Sequence, residues 1–455
     1  MKKSFKIVAF FAILGSSIFL PACDKYLDVK PKGFTLLNTL SDYSRWLDGT
    51  DLYVFERIDG LVSPSDVYDV VDQRVPAIGP FSQAYVWEEV HDDPDLWLEH
   101  YASISAYNSV IVGVDDATDG TAQQKRTLKA EARLGRANEL LYLINEYGKP
   151  YDSATAGRDP GVPVVVSDDV AQTAPGRGTV KGVYEFIIAE LKDVVADLPD
   201  NNNNNRYRGS KAAAYSLLAR ACLYARNYAD AGRYAQLALD ASPNQYVVDY
   251  TPFKTGDDLP KLMVSPDAIY ARIGIGAFTP TLAHLRNYEE EDIRLRMFHM
   301  NLGDYSFTER GIVLYFYGGF EITKLVECNI GTSIQEMMLI IAEVAARNNN
   351  LPKALELLNG IRSKRIPAAD YKPYQAADAD TVFNWVINER TLEFPFTGHR
   401  WFDMRRLSAE GRMPAIHRYD ATGGVIATLE PGSPRYTFQI PREVISFNPG
   451  MALNP

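Results

Sequence analysis

A mainly α-helical fold is predicted for this chain by three observations. Apolar residues recur at helical spacing in several separate segments, small residues mark matched positions in two of the helix pairs so formed, and the segments between them lack clear periodicity. Helices that meet through small residues cannot bury their apolar faces alone, so they stack. The expected architecture is a curved scaffold of helix pairs carrying long irregular insertions. Those insertions fall at roughly 48–96, 148–178, 242–332 and 408–438. Structureless stretches of this length usually carry function, and a ligand site is expected there.

With 46% hydrophobic and 23% charged residues among 455, the composition is that of a globular chain. The net charge is −11 and becomes more negative without the three lysines of the N-terminal segment. Such a surface repels phosphate backbones, so nucleic acid is not an expected partner.

The first segment, MKKSFKIVAFFAILGSSIFLPACDKYLD, combines a lysine-rich start, an apolar run from Ile7 to Leu20 and small residues before Cys23. The run is shorter than the roughly 20 apolar residues of a membrane-spanning helix, and residues 1–22 read as an export signal. Leu20-Pro21-Ala22-Cys23 resembles a bacterial lipobox, which implies cleavage before Cys23 and acyl chains on that cysteine. Each buried CH₂ of such chains contributes about 0.8 kcal/mol to membrane attachment. Residues 23–455 are then expected to form a single domain. Only Cys222 and Cys328 remain besides, too few for a disulfide framework. Cys222 shares an apolar stripe with Tyr215, Leu218 and Ala225, as a buried free thiol would.

In chain order, KRTLKAEARLGRANELLYLINEYGKP (125–150) contributes to a first helix pair. From Thr179, a plausible N-cap, a helix places Val183, Ile187, Leu191, Val194, Val195 and Leu198 on one face and stops before Pro199. The asparagine run at 201–205 reads as a surface loop, after which Ser210 caps the next helix. Residues 210–244 resemble a tetratricopeptide repeat, with Leu218, Ala219, Ala231, Ala238, Leu239 and Pro243 at its spacings. Residues 333–362 form a second copy, in which Ile341, Ala342, Ala354 and Ile361 replace Leu218, Ala219, Ala231 and Ala238. A further helix is expected from Thr381 to Phe394, ended by Pro395, with Gly398 permitting a tight turn.

The stretch NERTLEFPFTGHRWFDMRRL (388–407) gathers three acids, a histidine and four arginines. Glu389 and Glu393 share a helix face with Val382, Trp385 and Val386, so both carboxylates are drawn toward the core and need partners. Arg400, Arg405 and Arg406 return close by and are expected to supply them. Such neighbours depress carboxylate pKa values away from the range of acid–base catalysis. The segment therefore reads as an ion-paired corner.

This block resembles the signature of the SusD/RagB family of Bacteroidota outer-membrane lipoproteins, which Glu389, Arg390, Glu393, Gly398, His399, Arg400, Trp401, Phe402, Asp403, Arg405 and Arg406 fit. Three further segments agree in order: CDKYLDVKPKG (23–33) resembles the lipidated start, EMMLIIAEVAAR (336–347) a scaffold helix and FQIPREVISFNPGMALNP (438–455) the ending. The resemblance implies a helical single domain with tetratricopeptide-like pairs, anchored at the outer membrane. It also implies a lid over a SusC-like TonB-dependent transporter that captures a nutrient: an oligosaccharide or, as in the RagB branch, a peptide. No cofactor is implied.

Sugars are gripped by flat aromatic faces, with amides, carboxylates and guanidinium groups taking the hydroxyls. The chain holds 27 tyrosines and 5 tryptophans. One cluster contains Phe81, Tyr85, Trp87, Trp97 and Tyr101, and a second Tyr305, Tyr315, Phe316, Tyr317 and Phe320. Tyr85 and Trp87, among polar residues before a helix, are the leading candidate contacts. Trp97, Tyr305 and Tyr317 are further candidates, although a helix start at Trp97 and a strand over 312–317 would also place them in a core. Asp66, on the loop SPSDVYD, is a candidate polar contact. No metal site is expected: the six histidines form no HExxH pair, and Asp92, Asp93 and Asp95 are interrupted by Pro94 and lack EF-hand spacing. No GxSxG elbow, P-loop or GxGxxG fingerprint is present. A surface-anchored glycoside hydrolase stays open as an alternative, because its two acids need not be close in sequence. So does a purely structural lid.

Overall fold

The computed structural model describes residues 37–70, 80–89, 93–169, 171–254, 259–276, 278–299, 327–420 and 422–454. The leader, Cys23 and the aromatic cluster with Tyr305 and Tyr317 lie outside these residues. The longer helices are α1 (Leu40–Leu47), α2 (Pro94–Gly113), α3 (Ala122–Tyr147), α4 (Val180–Val194), α5 (Lys211–Tyr224), α6 (Tyr228–Asp240), α7 (Ile334–Arg347), α8 (Leu351–Arg362), α9 (Ala379–Glu393) and α10 (His399–Ser408). From α2 to α8 each helix packs on the next in the chain, and α9 also packs on α7. The α6–α7 contact holds although the whole 242–332 insertion separates them in sequence. This is the predicted mainly α-helical stack.

Its repeat is visible in the backbone. Ser210 and Ser333 cap α5 and α7 alike, their hydroxyls accepting from the amides of Ala213 and Glu336. Both helix pairs then turn through three residues. Arg226 and Asn349 hold left-handed φ values of 57° and 58°, and their amides donate to Leu223 O and Ala346 O, both at 3.0 Å. Asn227 and Asn350 follow, with amides on Cys222 O and Ala345 O at 2.8 Å and side chains capping α6 and α8. Two turns with the same bonds at the same register mean one repeat unit used twice. The contact positions agree: Leu218, Ala219, Ala231 and Ala238 are sealed from solvent, as are Ala342, Ala354 and Ile361. Ile341 differs, being half-buried where Leu218 is sealed.

The earlier pair follows the same close-packing logic with different residues. α2 crosses α3 so tightly that a Cβ on Gly135 would come within 2.2 Å of the Tyr107 ring, so only glycine fits. Between these helices His100 is sealed from water, with Nδ1 at 2.8 Å from Glu139 and Nε2 at 3.1 Å from Glu146. Burial alone would lower its pKa, but the two carboxylates outweigh that and hold it up at about 10. Cys222 and Cys328 are both buried free thiols, pushed up by burial to about 12.

The insertions are less irregular than their composition suggests, because short strands pin them. These are β1 (Val54–Phe55), β2 (Tyr68–Asp69), β3 (Ala268–Tyr270), β4 (Ile273–Ile275), β5 (Thr279–Pro280), β6 (Glu327–Asn329), β7 (Thr332–Ser333), β8 (Ile416–Tyr419) and β9 (Val425–Leu429). β4 lies between β1, which is parallel to it, and β6, which is antiparallel; β2 pairs with β5, β3 with β7, and β8 with β9. Residues 273–280 of the 242–332 insertion are thus sewn to the 54–69 segment. Asp93, from the acidic run, caps α2 and, like Asp95, pairs with Arg57.

Two outcomes are expected. Asn adopts the left-handed region more readily than Arg, so Arg226→Asn raises stability by about 0.5–1 kcal/mol in urea unfolding; a loss of stability would count against the turn geometry. His100 keeps its proton in the folded state up to about pH 10, whereas the unfolded chain releases it near 6.5. Its stabilising contribution is therefore complete below pH 6.5 and falls as pH rises toward 10, by up to about 1.4 kcal/mol per unit. Stability against pH measured for the wild type and His100→Gln checks this: the substitution removes that component of the slope.

Candidate functional site

The charged block at the α9–α10 junction forms a buried corner. α9 ends at Glu393, Phe396 takes a φ of 57°, and Gly398, at 79°, starts α10. A Cβ on Gly398 would also meet Leu61 at 3.1–3.2 Å. Arg390 donates to Asp403 at 2.9 Å; Arg406 donates to the same carboxylate at 2.7 Å and to Glu343 of α7 at 2.6 and 2.7 Å. Glu336 on α7 accepts two bonds from Arg220, which also donates to His399 Nε2 at 2.9 Å. That nitrogen is therefore the acceptor, and Nδ1–H donates to Thr397 Oγ1 at 2.8 Å. His399 is neutral, its pKa lowered by burial and by Arg220.

The corner is ion-paired as expected, but the partners of its glutamates differ. Glu389 binds Arg294 at 2.6 Å; Glu393 binds Arg294 at 2.9 Å and Arg365 at 2.9 Å. These arginines come from the 242–332 insertion and the turn after α8. Arg405 donates instead to the carbonyls of Gly148 and Tyr436. Arg400 turns out of the corner toward Asp66.

That last contact links the scaffold to the candidate site. Arg400 holds Asp66 through Nε at 2.7 Å and Nη2 at 2.5 Å, a bidentate pair with side chains 14% and 21% exposed. Burial pushes the Asp66 carboxyl up, but Arg400 more than offsets this and holds it below the usual carboxylate range. Asp66 lies within a segment, 63–69, whose main chain is bound on both sides. Thr281 donates its amide to Val67 O and its hydroxyl to Asp66 O, and β2 pairs with β5 beyond.

From the other side, Arg418 on β8 donates to four main-chain carbonyls: Tyr85 at 2.9 Å, Tyr68 and Ser63 at 3.0 Å, and Ser65 at 2.8 Å. Its guanidinium also lies 4.1 Å from the Tyr85 ring centre and 4.5 Å from that of Trp87. Trp87 is held at a φ of 54°, with its indole N–H donating to Pro64 O at 2.8 Å. The Tyr85 hydroxyl donates to Asp69 at 2.8 Å, and the Tyr68 ring stands edge-on to Tyr85. The result is an aromatic wall fixed from behind by one arginine.

Its geometry revises the sequence expectation for two residues. Tyr85 is 1% and Trp87 3% exposed, so neither offers a free ring face; both support the wall. The reason is Arg418, which stacks under both rings from far along the chain. Trp97 is buried in α2, packed between Tyr101 and Tyr147 at ring-centre distances of 4.9 and 4.8 Å. The accessible part of the wall is Asp66 with the half-buried Tyr68. Sequence reasoning did not single out Tyr68 or Arg418. The alternation of β8 puts Arg418 on the buried face, but nothing local shows what it binds. Among the described residues no group of three or more His, Cys, Asp or Glu side chains is placed to hold a metal ion.

Tetratricopeptide-like helix pairs that carry a pinned aromatic wall, with their charged residues locked in a buried corner, define a helical-repeat scaffold with long pinned insertions. The chain belongs to the SusD family. Residues 334–455 match the family itself, and residues 64–223 match a SusD-like family described as "Starch-binding associating with outer membrane". The second of these ranges begins at the Asp66 segment, and the first spans the α9–α10 part of the charged corner. Among solved structures, a SusD superfamily protein from Bacteroides vulgatus aligns at 20% identity and a TM-score of 0.74, over 92% of this chain and 99% of that one. A SusD-like carbohydrate-binding protein from the same species aligns at 16% identity and 0.69, over 91% and 98%. Surface glycan-binding protein A from Bacteroides uniformis aligns at 17% and 0.70, over 91% and 99%. No curated protein matches the chain in sequence.

Removing the Arg418 guanidinium leaves four carbonyls short of a donor and Trp87 without its backing. Arg418→Ala is expected to destabilise the fold by about 3 kcal/mol in urea unfolding and to red-shift tryptophan emission. A change below about 0.5 kcal/mol would mean that the wall is held by other contacts.

Proposed function

We propose that this protein is a carbohydrate-binding lipoprotein of the outer membrane, anchored through acyl chains on Cys23, that captures glycans and delivers them to a SusC-like TonB-dependent transporter. The observation that carries this reading is the match of residues 64–223 to a starch-binding, outer-membrane-associated family, which begins at the segment the fold takes most care to fix. The solved relatives named for carbohydrate or glycan binding span nine-tenths or more of both chains, which supports the same reading. Anchoring by lipid agrees with the leader's basic start and short apolar run; among the described residues no helix is long and apolar enough to cross a membrane.

At the site, the Asp66 carboxylate, kept ionised by Arg400, accepts from sugar hydroxyls while the Tyr68 ring meets a C–H face. Tyr85 and Trp87 keep that ring in place. The acids of the charged corner are sealed and neutralised by arginines, so the reading is capture without cleavage.

Calorimetric titration of the purified protein against plant and host oligosaccharides and mixed peptides tests this. Saturable glycan binding is expected, weakened about tenfold by Tyr68→Ala, with the oligosaccharide recovered uncut. Binding of peptides alone would replace the glycan reading with a RagB-like one, and shortened sugars would make the protein a hydrolase.

A further inference from the structure

The half-buried Tyr68 is not held by its own hydroxyl, which makes no hydrogen bond to any described residue and is not sealed from solvent. Two neighbouring rings orient it instead. Ring centre to ring centre, Tyr85 stands 5.9 Å away at 84° and Phe278 stands 6.3 Å away at 82°. Near-perpendicular neighbours leave few orientations to a ring that nothing else ties.

Tyr85 is fixed by Asp69 and Arg418. Phe278 has no polar atom and takes its place from packing alone. It is buried just before β5, whose Thr279 and Pro280 pair with Asp69 and Tyr68, so the strand that binds the wall also carries this ring to it. Phe396 stacks on Phe278 at 5.5 Å and 23°. Phe396 is itself buried, with the rings of His284 and His299 set at steep angles 5.9 and 6.0 Å away, and the Cys328 thiol donates to its carbonyl at 3.8 Å. Its φ of 57° is one that a bulky residue keeps only where its surroundings impose it. The α9–α10 turn therefore sets Phe396, Phe396 sets Phe278, and Phe278 meets Tyr68.

We infer that Phe278 is a positioning residue of the glycan site: resting on the binding role proposed for Tyr68, it sets the tilt at which that ring meets a sugar, held in place by the strained turn at Phe396. A ring of fixed tilt favours sugars whose flat C–H face arrives at one angle. Phe278 therefore governs which glycans bind as well as how tightly.

The test is calorimetric titration of the purified protein and its Phe278→Leu, Tyr68→Ala and double variants against plant and host oligosaccharides, with ¹³C relaxation of labelled tyrosines in the ligand-free protein. Phe278→Leu is expected to weaken the best glycan about fivefold and to narrow its margin over the next. With Tyr68→Ala already in place, the same substitution should change affinity by less than about twofold, whereas a merely structural role would weaken binding in both backgrounds. The Tyr68 ring signal, assigned as the one lost in Tyr68→Ala, is expected to gain motion in Phe278→Leu. Wild-type affinity in Phe278→Leu, an equal loss with and without Tyr68, or unchanged ring motion would each overturn the inference. If the wild type binds no glycan, the reading of Tyr68 as a sugar contact falls, and ring motion alone decides whether Phe278 orients it. Phe396→Leu, one ring further away, carries the same comparisons if Phe278→Leu does not fold.

Discussion

Asp403 takes bonds from two guanidinium groups, Arg390 and Arg406, and Arg406 reaches on to Glu343; none of the four side chains is more than 3% exposed. Charges so far from water are tolerable only when each is matched, and loss of any one partner from such a buried set typically costs about 3–5 kcal/mol. The chain of pairs therefore fixes α9, α10 and α7 in one relative placement. The Asp66 end of the candidate site depends on that placement, because Arg400, on the first turn of α10, is aimed at Asp66 only when α10 sits where the corner puts it.

The repeats and the insertions divide the work. Helix pairs meeting through alanine and glycine bring main chains close, giving a rigid backing with little freedom of register. The insertions would be loose on such a backing, yet strands of two to five residues and single arginines bind them at intervals. Arg177 illustrates the device away from the site: its guanidinium donates to the carbonyls of Tyr147, Gly161 and Ala452 and to Asn454 Oδ1, closing the C-terminal segment against α3. Buried arginines bonded to carbonyls serve here as cross-links between stretches of chain with no regular structure of their own.

The scaffold was legible in the sequence because its signals are local. A serine or threonine before an apolar stripe, small residues at matched positions and a proline past the end are set by bonds within a few residues, and Thr179, Ser210 and the two repeats all follow from them. The composition of the charged corner was legible for the same reason. Its wiring was not: Arg294 and Arg365 reach Glu389 and Glu393 from other elements, while the nearer Arg405 goes to carbonyls. Tyr85 and Trp87 show the same limit. Polar neighbours and a loop setting suggested exposed rings, whereas the arginine that buries them lies on the β8–β9 hairpin near the other end of the chain. Burial in an insertion is decided by contacts distant in sequence, which periodicity cannot report.

Arg418 binds the wall through main-chain oxygens, and every residue has a carbonyl whatever its side chain. The anchorage is therefore indifferent to which side chains the 63–70 stretch turns outward. Substitutions there can alter the chemistry of that surface without unfastening it, so a lineage bearing this arrangement can vary the surface by single replacements while its framework stays under separate, stricter selection.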